Sequence, residues 1–142
     1  MEHFERLLKM YKLAPIHEFY EGIHMELEQK KATITLPIDR RYFHAAMSAH
    51  GSVYFKLLDD SAYFACQTEV TDFFIVTTSF NIQLLRPITR GTIKAIGEVD
   101  FVSKQMMTAT SKLFDEKGRL VGTGQGQFLK SALPISEVDG YK

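Results

Sequence analysis

The segment HGSVYFKLLDDSAYFAC, His50 to Cys66, sets a histidine and a glycine just ahead of a run that is apolar except for Ser52, Ser61, Lys56 and the adjacent Asp59 and Asp60. A glycine at a helix entrance lets a substrate approach the backbone closely, and the free N–H groups of the first turn aim the positive end of the helix dipole at whatever binds there. Such donors favour a developing oxyanion. An aspartate about two turns further on, if partly withdrawn from water, has a raised pKa and is suited to activating water or to nucleophilic attack. The alternative is a glycine needed only for a turn, a histidine in solvent and an aspartate on a wet helix face.

These residues need a helix to position them. From about Ser52 to Gln67 the chain reads as a helix of about 24 Å. Placed at about 100° per residue, Val53, Leu57, Phe64, Tyr54, Ala65, Leu58, Ala62, Phe55 and Cys66 form a continuous apolar arc of more than half the circumference. Such a helix is wrapped on several sides. The remaining arc carries Asp59, Ser52, Tyr63, Lys56, Gln67 and Asp60, with the aspartates at its opposite edges. It either faces water, with an aspartate paired to Lys56 at helical spacing, or holds an aspartate partly desolvated. Periodicity alone does not choose.

The rest of the chain supplies the scaffold. Phe4, Leu7, Leu8 and Tyr11 mark one face of a short N-terminal cover helix, residues 1–14, ending before Pro15. Irregular alternation from Ile23 to Leu36, broken at Lys30 and Lys31, predicts a hairpin whose second strand ends at Pro37. After the central helix, FIVTTSFNIQLLRP, GTIKAIGEVDFVS, MMTATSKLFD and RLVGTGQGQFLK read as four strands in an antiparallel meander, and residues 134–142 as a flexible tail. Strands with a single long helix packed along them define an α+β domain, here one domain over 1–142.

Composition narrows the function classes. Seventeen basic and seventeen acidic residues balance without a like-charge block, which argues against nucleic-acid binding and electrostatic membrane attachment. One cysteine, Cys66, permits no intrachain disulfide, and no Cys/His cluster has structural-zinc spacing. MEHFERLLKMYKLAP lacks the pattern of a secretory signal and no apolar run approaches 18 residues, so the reading is a soluble, cytoplasmic protein without a metal.

Three blocks in order and spacing resemble the hotdog-fold acyl-CoA thioesterases, specifically the small thioesterases of the phenylacetic-acid-degradation type. HGSVYFKLLD places Asp59 nine positions after His50, NIQLLRP spans Asn81 to Pro87, and DEKGRLVGTGQGQF supplies the turn and small-residue strand. The resemblance covers roughly residues 30 to 130. It implies a long central helix wrapped by a curved antiparallel sheet of about six strands. It also implies a homodimer with active sites between protomers, and leaves open whether dimers pair further into a homotetramer. Asp59 matches the acid that activates water or attacks the thioester carbonyl, and Gly51 the residue whose N–H polarises that carbonyl. His50 matches the histidine beside it, and Thr77 a Ser/Thr that helps hold the water from the partner chain. The implied activity is hydrolysis of a small or medium acyl or aryl thioester, with coenzyme A as part of the substrate and no separate cofactor.

The expected acyl pocket takes Tyr54, Phe55, Leu58, Tyr63 and Phe80, and the expected coenzyme A contacts are Arg86, Arg90, Lys104 and Lys130. The sequence departs from the family pattern at His44, Met47 and Ser52, which stand for the usual asparagine, glycine and second glycine. An imidazole at position 44 could donate a hydrogen bond to the thioester or to Asp59. Two other readings keep the fold: an acyl-thioester-binding protein without hydrolysis, and an enoyl-thioester hydratase or dehydratase.

Overall fold

Leu7, Met10 and Tyr11 fall on one side of a first helix, α1 (Glu2–Leu13), and all three are buried. The computed structural model describes residues 2–142, so position 1 of the expected helix lies outside the described residues. A 3₁₀ turn, Pro15–Phe19, follows. Six strands come next in the chain around one long helix: β1 (His24–Glu28), β2 (Lys31–Pro37), α2 (Gly51–Gln67), β3 (Phe73–Leu84), β4 (Thr92–Val102), β5 (Met106–Phe114) and β6 (Leu120–Pro134). The helix starts one residue earlier than its apolar pattern suggests, because His50 caps it. The His50 ring Nδ1 accepts the Ser52 N–H at 3.0 Å, answering one of the unpaired first-turn donors.

All pairings are antiparallel, in the spatial order β1-β2-β4-β5-β6-β3. The hairpin turn is Gln29–Lys30, with Lys30 at φ 65°, and Lys31 already belongs to β2. Only β4-β5-β6 form the expected meander. The strand after the helix pairs with β6 instead of β4, and β4 returns to β2. The cause lies in residues 85–91, too long for a tight hairpin and containing Pro87 and a left-handed Gly91. Their backbone is tied at one end to Val121 on β6 and at the other to Ile38 beyond β2, with Ile88 buried between.

Helix α2 lies in a trough that runs across the strands. Registered pairs place Ala32 opposite Gly97, Gly97 opposite Ser111, and Ser111 opposite Gly124, a row of small residues over β2, β4, β5 and β6. A Cβ on Gly97 would collide with the backbone of Ser61. The helix backbone therefore rests directly on the sheet backbone. Ser111 donates to the Leu58 carbonyl at 2.9 Å, and large side chains such as Ile34, Ile93, Leu113 and Phe128 fill the space on either side.

The polar arc of α2 is not a wet face. Gln67 is fully buried, its amide donating to Val70 and Phe73 and accepting from Ile75, so it closes the turn between helix and β3. Phe55, placed on the apolar arc, is 42% exposed. The C-terminal segment, expected to be flexible, is docked. β6 continues to Pro134, Ile135 is 1% exposed, and the Tyr141 hydroxyl meets the His3 ring at 2.7 Å. Among the described residues no helix is long and apolar enough to cross a membrane.

The contact at Gly97 has a measurable weight. Gly97→Ala should lower unfolding free energy by about 3 kcal/mol in urea denaturation, because neither backbone can yield locally. Gly118→Ala, at φ 77° with open space around it, should cost only about 1 kcal/mol.

Candidate active site

Residues 51, 55 and 59 recur at four-residue spacing and share one face of α2. That face runs along β3. A Cβ on Gly51 would meet Leu84 at 3.4 Å, the Phe55 and Phe80 rings stack edge to face at 5.5 Å, and the Thr77 hydroxyl donates to Asp59 Oδ1 at 3.0 Å. The bond between Thr77 and Asp59 is made within one chain, whereas the resemblance places the threonine on the partner. Gly51 and Asp59 stand about 12 Å apart along the helix at 1.5 Å per residue.

The two adjacent aspartates have different surroundings. Asp60 accepts the Tyr11 hydroxyl at 2.8 Å and pairs with Lys56 at 2.8 Å, with both charged side chains largely buried. Lys56 also donates to His17 Nε2 at 2.9 Å, and His17 Nδ1 donates to the Tyr11 carbonyl at 2.6 Å. A carbonyl only accepts and an ammonium only donates, so this imidazole is neutral with its proton on Nδ1. Burial and then the Lys56 charge hold its pKa below the usual value.

Asp59 has no cation of its own. Burial, and then the neighbouring Asp60 charge, push its carboxyl up to about 6, against the opposing hydrogen bond from Thr77 and the charge of Lys56. A carboxyl with that pKa is mostly ionised at neutral pH yet still basic enough to take a proton. It borders a cavity of about 660 Å³ that lies between α2, the first half of β3 and the N-terminal segment. Thr77 and Tyr63 share this cavity.

The other expected residues lie elsewhere. Tyr54 and Leu58 are in the core beneath Gly122, and the Tyr54 hydroxyl is spent on the Arg86 carbonyl. Phe55 and Phe80 sit on the stripe between Gly51 and Asp59, outside the cavity. His44 turns into its own loop, accepting from Ala46 N–H at 3.1 Å through Nδ1 and meeting Ser48 Oγ at 3.0 Å through Nε2. Met47 adopts φ 66° there, a left-handed turn that explains why a glycine suits the position. His50 and Ser52 are likewise engaged with each other at the helix cap.

The four cations do not converge within one chain. Arg90 pairs with Glu116 at 3.1 Å and Arg86 donates to the Leu120 carbonyl at 3.2 Å, near the start of β4. Lys104 is exposed in the turn beyond the other end of β4, and Lys130 pairs with Asp72 at 3.2 Å. Residues that sequence reasoning missed are Tyr11 and His17, which join the site through Lys56 and Asp60. The i,i+4 spacing of Lys56 and Asp60 was their only signal.

A long helix seated in the trough of a six-stranded antiparallel sheet is the hotdog fold. The thioesterase-superfamily model matches residues 48–122, more than half of the chain, and the chain belongs to that superfamily. Among solved structures it is similar to the E. coli PaaI protein from the phenylacetic acid degradation operon. That match has 20% identity and a TM-score of 0.84, covering 94% of this chain and 96% of that one. It is also similar to a thioesterase from Haemophilus influenzae, at 18% identity and a TM-score of 0.75, covering 86% of each chain. A third is a mutant of the phenylacetic acid degradation protein PaaI from Thermus thermophilus, at 21% identity and a TM-score of 0.74, covering 82% of this chain and 99% of that one. No curated protein matches the chain significantly in sequence.

The raised pKa of Asp59 has a stability consequence. The folded state holds this proton more tightly than the unfolded one, so the group contributes destabilisation that grows as pH rises from about 4 to about 6. Asp59→Asn should therefore stabilise the fold above about pH 6, on the order of 2 kcal/mol. The gain should vanish below about pH 4, as read from chemical denaturation across that range.

Proposed function

We propose that the protein hydrolyses acyl-CoA thioesters at Asp59. The observation that carries this reading is a half-buried carboxylate without a counterion of its own, held by Thr77 at the wall of a cavity, in a chain of the thioesterase superfamily. The Asp59 carboxylate takes a proton from water as the water oxygen attacks the thioester carbonyl carbon. The oxyanion of the tetrahedral intermediate accepts a backbone N–H, its collapse expels the thiolate, and that thiolate takes the proton held by Asp59. Coenzyme A enters and leaves as part of the substrate. The carboxyl near 6 favours this proton-holding role over direct attack on the carbonyl.

The oxyanion donor in this reading is Gly51 of a second copy. About 12 Å separate Gly51 and Asp59 along one helix, whereas reacting and stabilising groups must both lie about 3 Å from the carbonyl. β3 is an edge strand, and Phe55, Leu84 and Leu85 are each 42–52% exposed on or just beyond the stripe and that edge. A two-fold axis near Phe80 would extend the sheet across β3 and bring the second copy's Gly51 to this Asp59. The active unit is then a homodimer, able to pair further into a tetramer.

The hydratase reading has less support, because both ring nitrogens of His44 are bonded within its own loop and Nδ1 of His50 caps α2. Binding without hydrolysis is separated by turnover. Thiol release from an acyl-CoA panel should rise with pH through about 6, and Asp59→Asn should lower kcat at least about a hundredfold. Gly51→Pro removes the N–H with little change to the helix start, since proline suits the first helical position and His50 before it is already extended at φ −62°, ψ 148°, and Gly51→Ala, which adds a Cβ beside Leu84 but keeps the N–H, is the control for added bulk. The proline variant should cost on the order of 10²–10³ in kcat. Mixing the two inactive variants should restore activity, because one site of each mixed dimer then has both groups intact. No recovery in verified mixed dimers would reject the shared site.

A further inference from the structure

The cavity beside Asp59 is lined on its far side by the chain's own N-terminal segment. Leu13 closes α1 and Ile16 lies in the following 3₁₀ turn, and both line it. Leu13 is 57% exposed, Ile16 49%, and Val76 on the opposite wall 40%. Three large apolar side chains thus face the same space without being covered. Phe74 and Val138 add further apolar surface.

The polar groups of the wall are already paired. Asp60 is answered by Lys56 and Tyr11, His17 by Lys56 and the Tyr11 carbonyl, and the Tyr63 hydroxyl by the Ile75 carbonyl at 2.8 Å. Asp139 at the rim pairs with Lys142 at 3.2 Å. Apart from Asp59 and Thr77, the wall therefore offers apolar surface, which is stabilised by whatever covers it. At about 30 Å³ for a water-sized group, the volume is room for an acyl chain of octanoyl length with space left for the start of the thiol arm.

We propose that this cavity takes an apolar acyl group of medium length without a terminal charge, and that Leu13 and Ile16 set how long it is. The inference rests on the thioesterase reading, narrows the expected range of acyl and aryl groups and assigns the residues that set it. The Lys56, Asp60, His17 and Tyr11 cluster pins the N-terminal segment to α2, so the wall is in place before the substrate arrives. Each methylene that enters gains about fourfold in binding from burial. A carboxylate at the chain end would instead be stripped of water beside Asp59 and Asp60.

The test is a ladder of acetyl-, butanoyl-, hexanoyl- and octanoyl-CoA, with adipoyl-CoA as the charged match for hexanoyl. For the wild type, kcat/KM should climb along the ladder, and hexanoyl should exceed adipoyl at least tenfold. Leu13→Trp and Ile16→Trp place bulk at half-exposed positions, where folding tolerates it, and should lower the octanoyl-to-acetyl ratio at least tenfold. Ratios that stay the same in both variants would overturn the proposal while leaving hydrolysis at Asp59 intact. A changed oligomeric state at constant ratio would assign the apolar wall to a second copy and also overturn it. Calorimetry on the Asp59→Asn protein supplies the reading independent of turnover. Octanoyl-CoA binding that exceeds acetyl-CoA binding and weakens with Ile16→Trp supports the cavity assignment even where no thioester is cleaved, and equal binding of the two rejects it.

Discussion

The contact of α2 with the floor of the sheet at Gly97 is the constraint from which the other features follow. With Ser61 directly over a residue that has no Cβ, the helix sinks into the trough formed by Ala32, Gly97, Ser111 and Gly124. The sheet can then curve around it, and the hydroxyl of Ser111 reaches the Leu58 carbonyl. Depth also brings the side of the helix against β3. Without that, the face bearing Gly51, Phe55 and Asp59 would not lie along Leu84, Phe80 and Thr77.

The same burial separates the functions of two neighbouring carboxylates. About 100° of helix rotation turns Asp60 toward α1 and Asp59 toward β3. Asp60 finds an ammonium and a phenol, so its charge is compensated and it holds the N-terminal segment in place. Asp59 finds one neutral hydroxyl and a cavity, so its charge is costly and its affinity for a proton rises. A structural ion pair thus serves as the fixed wall beside Asp59, and its negative member adds to the basicity of that carboxylate.

Much of the scaffold was legible in the sequence because it follows from period and punctuation. The apolar arc marked α2, the Lys30–Lys31 break marked the first hairpin, and alternation marked the later strands, which together with the three motif blocks led to the hotdog fold. Asp59 and Thr77 were named from the resemblance and do meet in space. Strand order was not legible, since alternation says which face a residue occupies but not which strand lies beside it. Neither was the fate of the C-terminal segment, whose polar letters conceal Ile135 and Tyr141, both buried against other parts of the chain.

Local pattern was enough to specify the elements, the helix that carries Asp59, and the spacing that ties it to His50 and Gly51. Those properties are set by side-chain period and backbone preference. Three-dimensional packing was needed to make His50 a cap, to turn His44 into its own loop, and to place Tyr54 and Leu58 in the core. It also drew Tyr11 and His17, far upstream in the chain, into the wall beside Asp59. Charge, burial and cavity shape depend on what is packed nearby, and no local pattern encodes that. Two aspartates one residue apart become a paired ion and a carboxyl of raised pKa only when the fold supplies a lysine and a phenol to one and a single neutral hydroxyl to the other.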